Sequence, residues 1–347
     1  MSRVRALAKG ASIAGAVSIA VGGTAYAIER IAAGRIRKNT GDGTFDVLEP
    51  VALPTYAVAS FDGGTINYVD SLQRATSDEA TNVATEPTPI LLSHGVTLSL
   101  RTWVRQLDEF PKRGYRTIAF DHRGHGESML GEKRFSVDVL ADDVRVLLEH
   151  LDLHDVVLVG HSMGGIGVQS FLARYPEIAK ERVAGIVLLS TLPSALAGSQ
   201  AARFGQLVER VTRRTPDSTP LWRSQHLGLV LARFGFGKDP VARDVELVRQ
   251  MMLDCAPETR IGGPRSLIGF NLVEQLNAID LPTLVIGGTA DVITPLRDSQ
   301  RMHERIVGSR LEVLEGGGHM LMLERADAVN SLICNFAREV APKRRAK

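Results

Sequence analysis

The stretch Gly160-His161-Ser162-Met163-Gly164-Gly165 constrains this chain more than any other. It follows Val156-Val157-Leu158-Val159, an unbroken apolar run of the kind that forms a strand buried on both faces. It precedes a helical pattern from Ile166 to Tyr175 that stops before Pro176. A serine between glycines on a strand-to-helix turn has a strained backbone and a hydroxyl raised clear of the sheet. Gly160 and Gly164 lack side chains, so strand and helix can approach closely. The helix N-terminus directs free N–H groups and a positive dipole end at any negative charge that develops there. Ser162 therefore reads as a nucleophile; the plainer reading of the same residues is a glycine-rich turn whose serine caps the helix.

The chain around this turn alternates strand and helix. Tyr56–Ser60 and Thr65–Val69 flank Asp62-Gly63-Gly64 and read as a hairpin. Ile90–Ser93, Arg116–Phe120, Gly185–Leu189, Thr283–Ile286 and Leu311–Leu314 are further short strands. Helical patterns run over Ser136–Leu151, Pro295–Val307 and about Ala328–Val340, and a polar loop over Leu72–Pro89. This spacing predicts an α/β fold with a mostly parallel, doubly wound sheet of about eight strands and helices on both faces. From Thr191 to about Leu276 the rhythm breaks into helical pieces at Phe204–Val211, His226–Phe236, Val241–Leu253 and Ser266–Leu276. An α-helical insertion after a sheet strand is most simply a lid over the carboxyl ends of the strands. The expected organisation is a core of residues 44–191 and 277–341, a helical lid of 192–276, an amino-terminal apolar segment and linker of 1–43, and a basic tail of 342–347.

Composition matters mainly at the ends. Residues 1–38 hold seven basic residues against Glu29 alone, and the tail holds four with no acid. The body keeps 30 basic against 38 acidic residues, which argues against nucleic-acid binding. Residues 11–28 are apolar and flanked by basic residues. They read as a membrane-associated segment, because Arg30, Arg35, Arg37 and Lys38 resist translocation. The alternatives are a secretory signal cleaved near Ala27, at Ala25-Tyr26-Ala27, and a soluble leader helix. Cys255 and Cys334 lie far apart, without metal spacing, and read as free thiols.

A serine hydroxyl needs a base to take its proton, and that base, a histidine, needs a carboxylate to hold its tautomer. Downstream of Ser162, Asp291 follows the strand Thr283–Ile286, and His319 follows Leu311–Leu314 through Glu315-Gly316-Gly317-Gly318. Both leave carboxyl ends of strands, where functional groups of open α/β sheets gather. Asp291 also suits a cap for the helix that Pro295 begins. The backbone N–H of Met163 and of Val96, in the loop after Ile90–Ser93, are the candidate oxyanion donors. His94 reads as a hydrogen-bonded turn residue, and His122, Arg123 and His125 as structural parts of the Asp121–Ser128 loop. His161 should point away from the serine. In the lid, Trp222, Phe234, Phe236, Met251 and Met252 are candidates for an apolar substrate lining, or plain lid core.

With these motifs in place, His94-Gly95, Asp121-His122-Arg123-Gly124-His125-Gly126-x-Ser128, the Ser162 turn, Gly288-x-x-Asp291 and Gly317-Gly318-His319 resemble the α/β-hydrolase fold family. They resemble most its serine esterases and monoacylglycerol-lipase-like members, over roughly residues 55–191 and 277–340. The resemblance implies a Ser162–Asp291–His319 triad, a lid at 192–276, no metal and no cofactor. The implied substrate is a small ester or lipid-like molecule; the apolar stretch 11–28, whose own composition suggests membrane contact, and the polar loop Leu72–Pro89 are additions outside the shared core. Epoxide hydrolases and haloalkane dehalogenases place aspartate where Ser162 stands, and haloperoxidase-like members usually place proline before the histidine. The alternatives are perhydrolase or haloperoxidase-like chemistry, or carbon–carbon hydrolysis, with the same triad. A non-catalytic binding protein on this fold is a third.

Overall fold

The structure is a computed structural model describing residues 30–40, 52–72, 88–195 and 219–342. The apolar segment 11–28 with its cleavage motif, most of the 72–89 loop, the helical piece Phe204–Val211 and residues 343–347 of the tail lie outside the described residues.

Eight strands form one sheet: β1 (Thr55–Ala59), β2 (Thr65–Asp70), β3 (Pro89–Ser93), β4 (Arg116–Phe120), β5 (Val156–His161), β6 (Val183–Leu189), β7 (Thr283–Gly288) and β8 (Arg310–Leu314). Their order is β1-β2-β4-β3-β5-β6-β7-β8. The β1–β2 hairpin and the β2–β4 pairing are antiparallel, and every other pairing is parallel. At the hairpin turn Gly63 adopts φ +82° and the Ser60 amide donates to Gly64 at 2.8 Å, as a D-G turn requires.

The unbroken apolar runs follow from burial on both faces. Alternate residues enter two separate cores: Ile90, Leu92, Val157, Val159, Val187, Leu189, Leu284 and Ile286 join one. Leu91, Leu158, Ile186, Leu188 and Val285 join the other. The first core is covered by α2 (Val104–Lys112) and the last helix, α11 (Ala326–Val340), through Val104, Leu107, Phe110, Val329, Ile333 and Phe336. The second is covered by α3 (Val137–His150), α4 (Met163–Arg174) and α10 (Leu296–Arg305). Ser136 caps α3, accepting from the Val139 amide at 3.2 Å. The short α5 (Pro176–Arg182) opens on its proline. Both α2 and α5 lie where no helix was expected from the sequence.

Between β6 and β7 the described chain forms α6 (Thr219–Arg223), α7 (Leu227–Ala232), α8 (Ala242–Asp254) and α9 (Pro257–Ser266). The expected helix over Ser266–Leu276 does not form. Gly269 takes φ +91°, and the backbone pairs instead with the chain leaving β6. There the Ala195 amide donates to Phe270 at 3.1 Å and the Leu272 amide to Pro193 at 2.8 Å. Only a 3₁₀ turn, Gln275–Ala278, follows. This inserted segment reaches α2 and the loop after β8. Arg105 pairs with Asp244 at 2.8 Å. The Gly235 carbonyl accepts from the His319 amide at 2.9 Å. A helix at 30–37, α1, docks on the insertion: Ala33 is buried in the first core, and Asn39 Nδ2 donates to Asp239 at 2.7 Å.

Candidate active site

Ser162 sits between the end of β5 and the start of α4 with φ 53° and ψ −117°. A non-glycine residue there carries strain on the order of 1–3 kcal/mol, held only when the surroundings over-determine it. They do: the Ser162 amide donates to Leu189 at 3.1 Å, and its carbonyl accepts from the Ile166 amide at 3.1 Å and Thr191 Oγ1 at 2.6 Å. The flanking glycines are close-approach positions. A Cβ on Gly160 would lie 2.5 Å from Gly165 Cα, and one on Gly164 would lie 2.3 Å from the Ser93 carbonyl oxygen.

The loop after β3 passes beside this serine, since a Cβ on Gly95 would lie 3.2 Å from Ser162 Cβ. Val96 follows, and its neighbours are fixed on both sides. His94 Nδ1 donates to the Gly95 carbonyl at 2.7 Å, and the Thr97 amide donates to His125 Nε2 at 3.0 Å. Each ring's other nitrogen is also engaged: His94 Nε2 accepts from the His122 amide at 2.9 Å, and His125 Nδ1 donates to Arg123 at 3.0 Å. Burial pushes the His94 and His122 rings well below the ordinary histidine value and His125 down to about 4. These are neutral rings bracing a loop, not bases. Among the described residues, the Val96 and Met163 amides donate to no other group.

Asp291 and His319 leave β7 and β8 and meet. His319 Nδ1 donates to Asp291 Oδ2 at 2.9 Å, both side chains being buried. Thr294 completes the contact: its hydroxyl donates to Asp291 Oδ2 at 2.7 Å and lies 3.1 Å from His319 Nδ1. Asp291 Oδ1 accepts from the Ile293 and Thr294 amides at 2.9 and 2.8 Å, so this carboxylate both orders the turn before α10 and faces the imidazole. Burial alone would raise the Asp291 carboxyl, but His319 and the Thr294 donors outweigh it and hold the carboxyl below its ordinary value.

His161 was expected only to avoid the serine, and does more. Its Nε2 donates to the His319 carbonyl at 3.0 Å and its ring lies 4.7 Å from the His319 ring, centroid to centroid. Burial pushes it well below its ordinary value, so it is a neutral brace between the serine turn and the histidine loop. Among the described residues no hydrogen bond joins Ser162 Oγ directly to His319 Nε2; the two residues are connected through His161. Such contacts are commonly long before substrate binds.

Four of the five expected lining residues belong to or pack against one core. Phe236 and Met251 are buried in the first core, Trp222 and Met252 pack partly buried against it, and Phe234 is 58% exposed. The sequence singles out neither Thr294 nor the contact His161 makes with the His319 loop; His94, read as a hydrogen-bonded turn residue, and His125, read as structural, brace the 95–97 loop. Thr294 carried a weak signal, three residues after Asp291, where an Asx turn places its amide.

Residues 88–326 match the family described as "alpha/beta hydrolase fold". The chain belongs to the α/β-hydrolase fold family. It is 33% identical over 255 residues to a non-heme haloperoxidase from Rhodococcus erythropolis, covering 72% of this chain and 91% of that one. It is 30% identical over 259 residues to a bifunctional esterase/perhydrolase from Acinetobacter calcoaceticus, covering 72% and 91%. In fold it is also similar, with a TM-score of 0.65 and 20% identity, to a membrane phospholipase A. That likeness covers 98% of this chain and 97% of the other. The family makes this chain a hydrolase acting on a small molecule.

Proposed function

We propose that this α/β hydrolase cleaves carboxylic esters through Ser162, His319 and Asp291. The observation that carries the reading is the buried 2.9 Å Asp291–His319 contact beside the strained Ser162 turn. The carboxylate fixes the Nδ1–H tautomer, which leaves Nε2 free to take the serine proton. Ser162 Oγ then attacks the ester carbonyl carbon, and His319 receives its proton. The oxyanion forms on the Met163 and Val96 amides, each worth about 3–4 kcal/mol of barrier. His319 returns the proton to the departing alcohol. Water, deprotonated by the same ring, releases the acid and restores the serine.

A second reading, perhydrolysis with the same triad, is favoured by the names of the relatives, one of them an esterase/perhydrolase. There hydrogen peroxide replaces water against the acyl-enzyme, so the product is a peracid. One panel separates the two: esters of increasing acyl length, including monoacylglycerol and phospholipid, against acetate plus peroxide scored by halide oxidation. Ester turnover that Ser162→Ala abolishes supports the first reading. Peracid formation without ester turnover would replace it with the second.

Membrane association through residues 11–28 belongs to the same proposal. The helix that follows them, α1, sits on the insertion beside the site, so an anchored chain would hold the insertion near a lipid surface and favour apolar acyl groups.

A further inference from the structure

The backbone around His319 is held from three sides. Its own amide donates to the Gly235 carbonyl at 2.9 Å, as does the Met320 amide at 3.0 Å. Its carbonyl accepts from His161 at 3.0 Å. The third hold is one side chain, Glu324, which the ester-cleavage mechanism does not use. Glu324 Oε2 accepts from the Gly318 amide at 3.1 Å, and Oε1 from the Met320 amide at 3.1 Å. These are the residues immediately before and after His319. Oε2 also accepts from the Gly237 amide of the inserted segment at 2.7 Å. One carboxylate thus clips the histidine loop to the insertion. The surfaces it joins are in direct backbone contact, since a Cβ on Gly318 would lie 2.1 Å from the Gly237 nitrogen, and one on Gly237 would lie 2.2 Å from the Gly316 carbonyl oxygen.

We propose that Glu324 is a positioning residue for His319, holding the imidazole in its reactive placement by locking the 318–320 backbone onto Gly237 of the insertion. The proposal rests on His319 being the base of the ester-cleavage mechanism. It also makes the Gly235–Gly237 edge of the insertion part of the reactive architecture. If that edge lifts away, Gly235 and Glu324 lose their partners together, and His319 loses the support of its N–H and of both flanking amides. A movable lid in this enzyme must therefore hinge elsewhere in the insertion.

A carboxylate suits three converging N–H groups because it only accepts. A glutamine at this position keeps the volume but turns an NH₂ toward one of the three donors, removing at least one bond and opposing another. The test uses the full chain with Glu324→Gln, Glu324→Ala and Ser162→Ala, following ester hydrolysis, the rate of fluorophosphonate labelling and thermal melting. Sub-ångström misplacement of a catalytic group costs on the order of tenfold to a hundredfold. The expected result is a kcat loss in that range for Glu324→Gln, larger for Glu324→Ala, with KM little changed and labelling slowed by the same factor per folded molecule. Wild-type kcat and labelling rate in Glu324→Gln, with Ser162→Ala inactive, would overturn the proposal and leave the ester mechanism standing. A kcat loss that only tracks the folded fraction would overturn it equally, since Glu324 would then serve stability alone. Activity surviving in Ser162→Ala would remove the mechanism, and the proposal with it.

Discussion

Asp291 shows how one residue satisfies two readings of the same sequence. As an aspartate shortly before a helix it suggests a cap, and as a polar residue after a buried strand it suggests a partner for the base. Its two oxygens divide the contacts: Oδ1 takes the turn amides and Oδ2 faces His319. An asparagine keeps the turn but can donate toward His319 Nδ1, favouring the wrong tautomer. Asp291→Asn is expected to lower kcat about 10⁴-fold while leaving melting nearly unchanged, as steady-state kinetics and a thermal scan would establish. The buried histidines make a second prediction at this scale. A ring held neutral in the fold but free to protonate when unfolded costs stability below its unfolded value of 6.5. For His125 the loss therefore grows as pH falls from 6.5 to about 4 and then levels off. His94, His122 and His161 add to it in the same direction. Asp291, with its lowered carboxyl, contributes stability present above the ordinary carboxylate range and lost as pH falls through its folded value. Melting temperatures are thus expected to fall between pH 6.5 and 4, and His125→Gln is expected to fall less steeply.

At the scale of elements, the strands were legible because burial on both faces leaves an unmistakable apolar run. Arg116–Phe120 needed no adjustment, and Val156 extends through His161 because the strand runs straight into the turn. The helix after Ser162 begins at Met163 rather than Ile166, since the glycines that mask its periodicity are its first turn. The α2 helix carries Pro111 in its last turn, which disguises a helical pattern. Ser266–Leu276 departs from its helical spacing for a different reason. Its apolar spacing suits a helix, but its backbone partners come from residues 193–195, far away in sequence. The site shows the same division. Ser162, Asp291 and His319 announce themselves through flanking glycines and strand ends. The bracing rings and Glu324 act through backbone contacts between distant loops, which no spacing encodes. Docking of α1 rests on similar contacts: Asn39 Nδ2 reaches Asp239 and Pro240 at 2.7 and 3.1 Å, and the Ala242 amide returns to the Asn39 carbonyl at 2.7 Å. Asn39→Ala is expected to cost about 1 kcal/mol locally, seen as faster hydrogen exchange over residues 239–254.

At the scale of the molecule, one sheet separates two cores. The loops at its carboxyl edge hold Ser162, Asp291 and His319, and residues 235–237 of the insertion contact the last of these loops. The acidic body and the basic ends divide the chain electrostatically. If residues 11–28 associate with a membrane, removing 1–29 should move the protein from the membrane to the soluble fraction and leave kcat on a short-chain ester unchanged. Fractionation and kinetics on the same preparation check both halves, and a truncated chain that stays in the membrane fraction would contradict the anchor. The central claim is narrower: Ser162 is the nucleophile, made reactive by His319. Its most direct measurement is intact-mass and peptide mapping after fluorophosphonate treatment of the wild type, Ser162→Ala and His319→Ala. The account predicts a single adduct on Ser162 in the wild type, none in Ser162→Ala, and labelling slowed by orders of magnitude in His319→Ala. An adduct on another residue, or undiminished labelling without the imidazole, would contradict it.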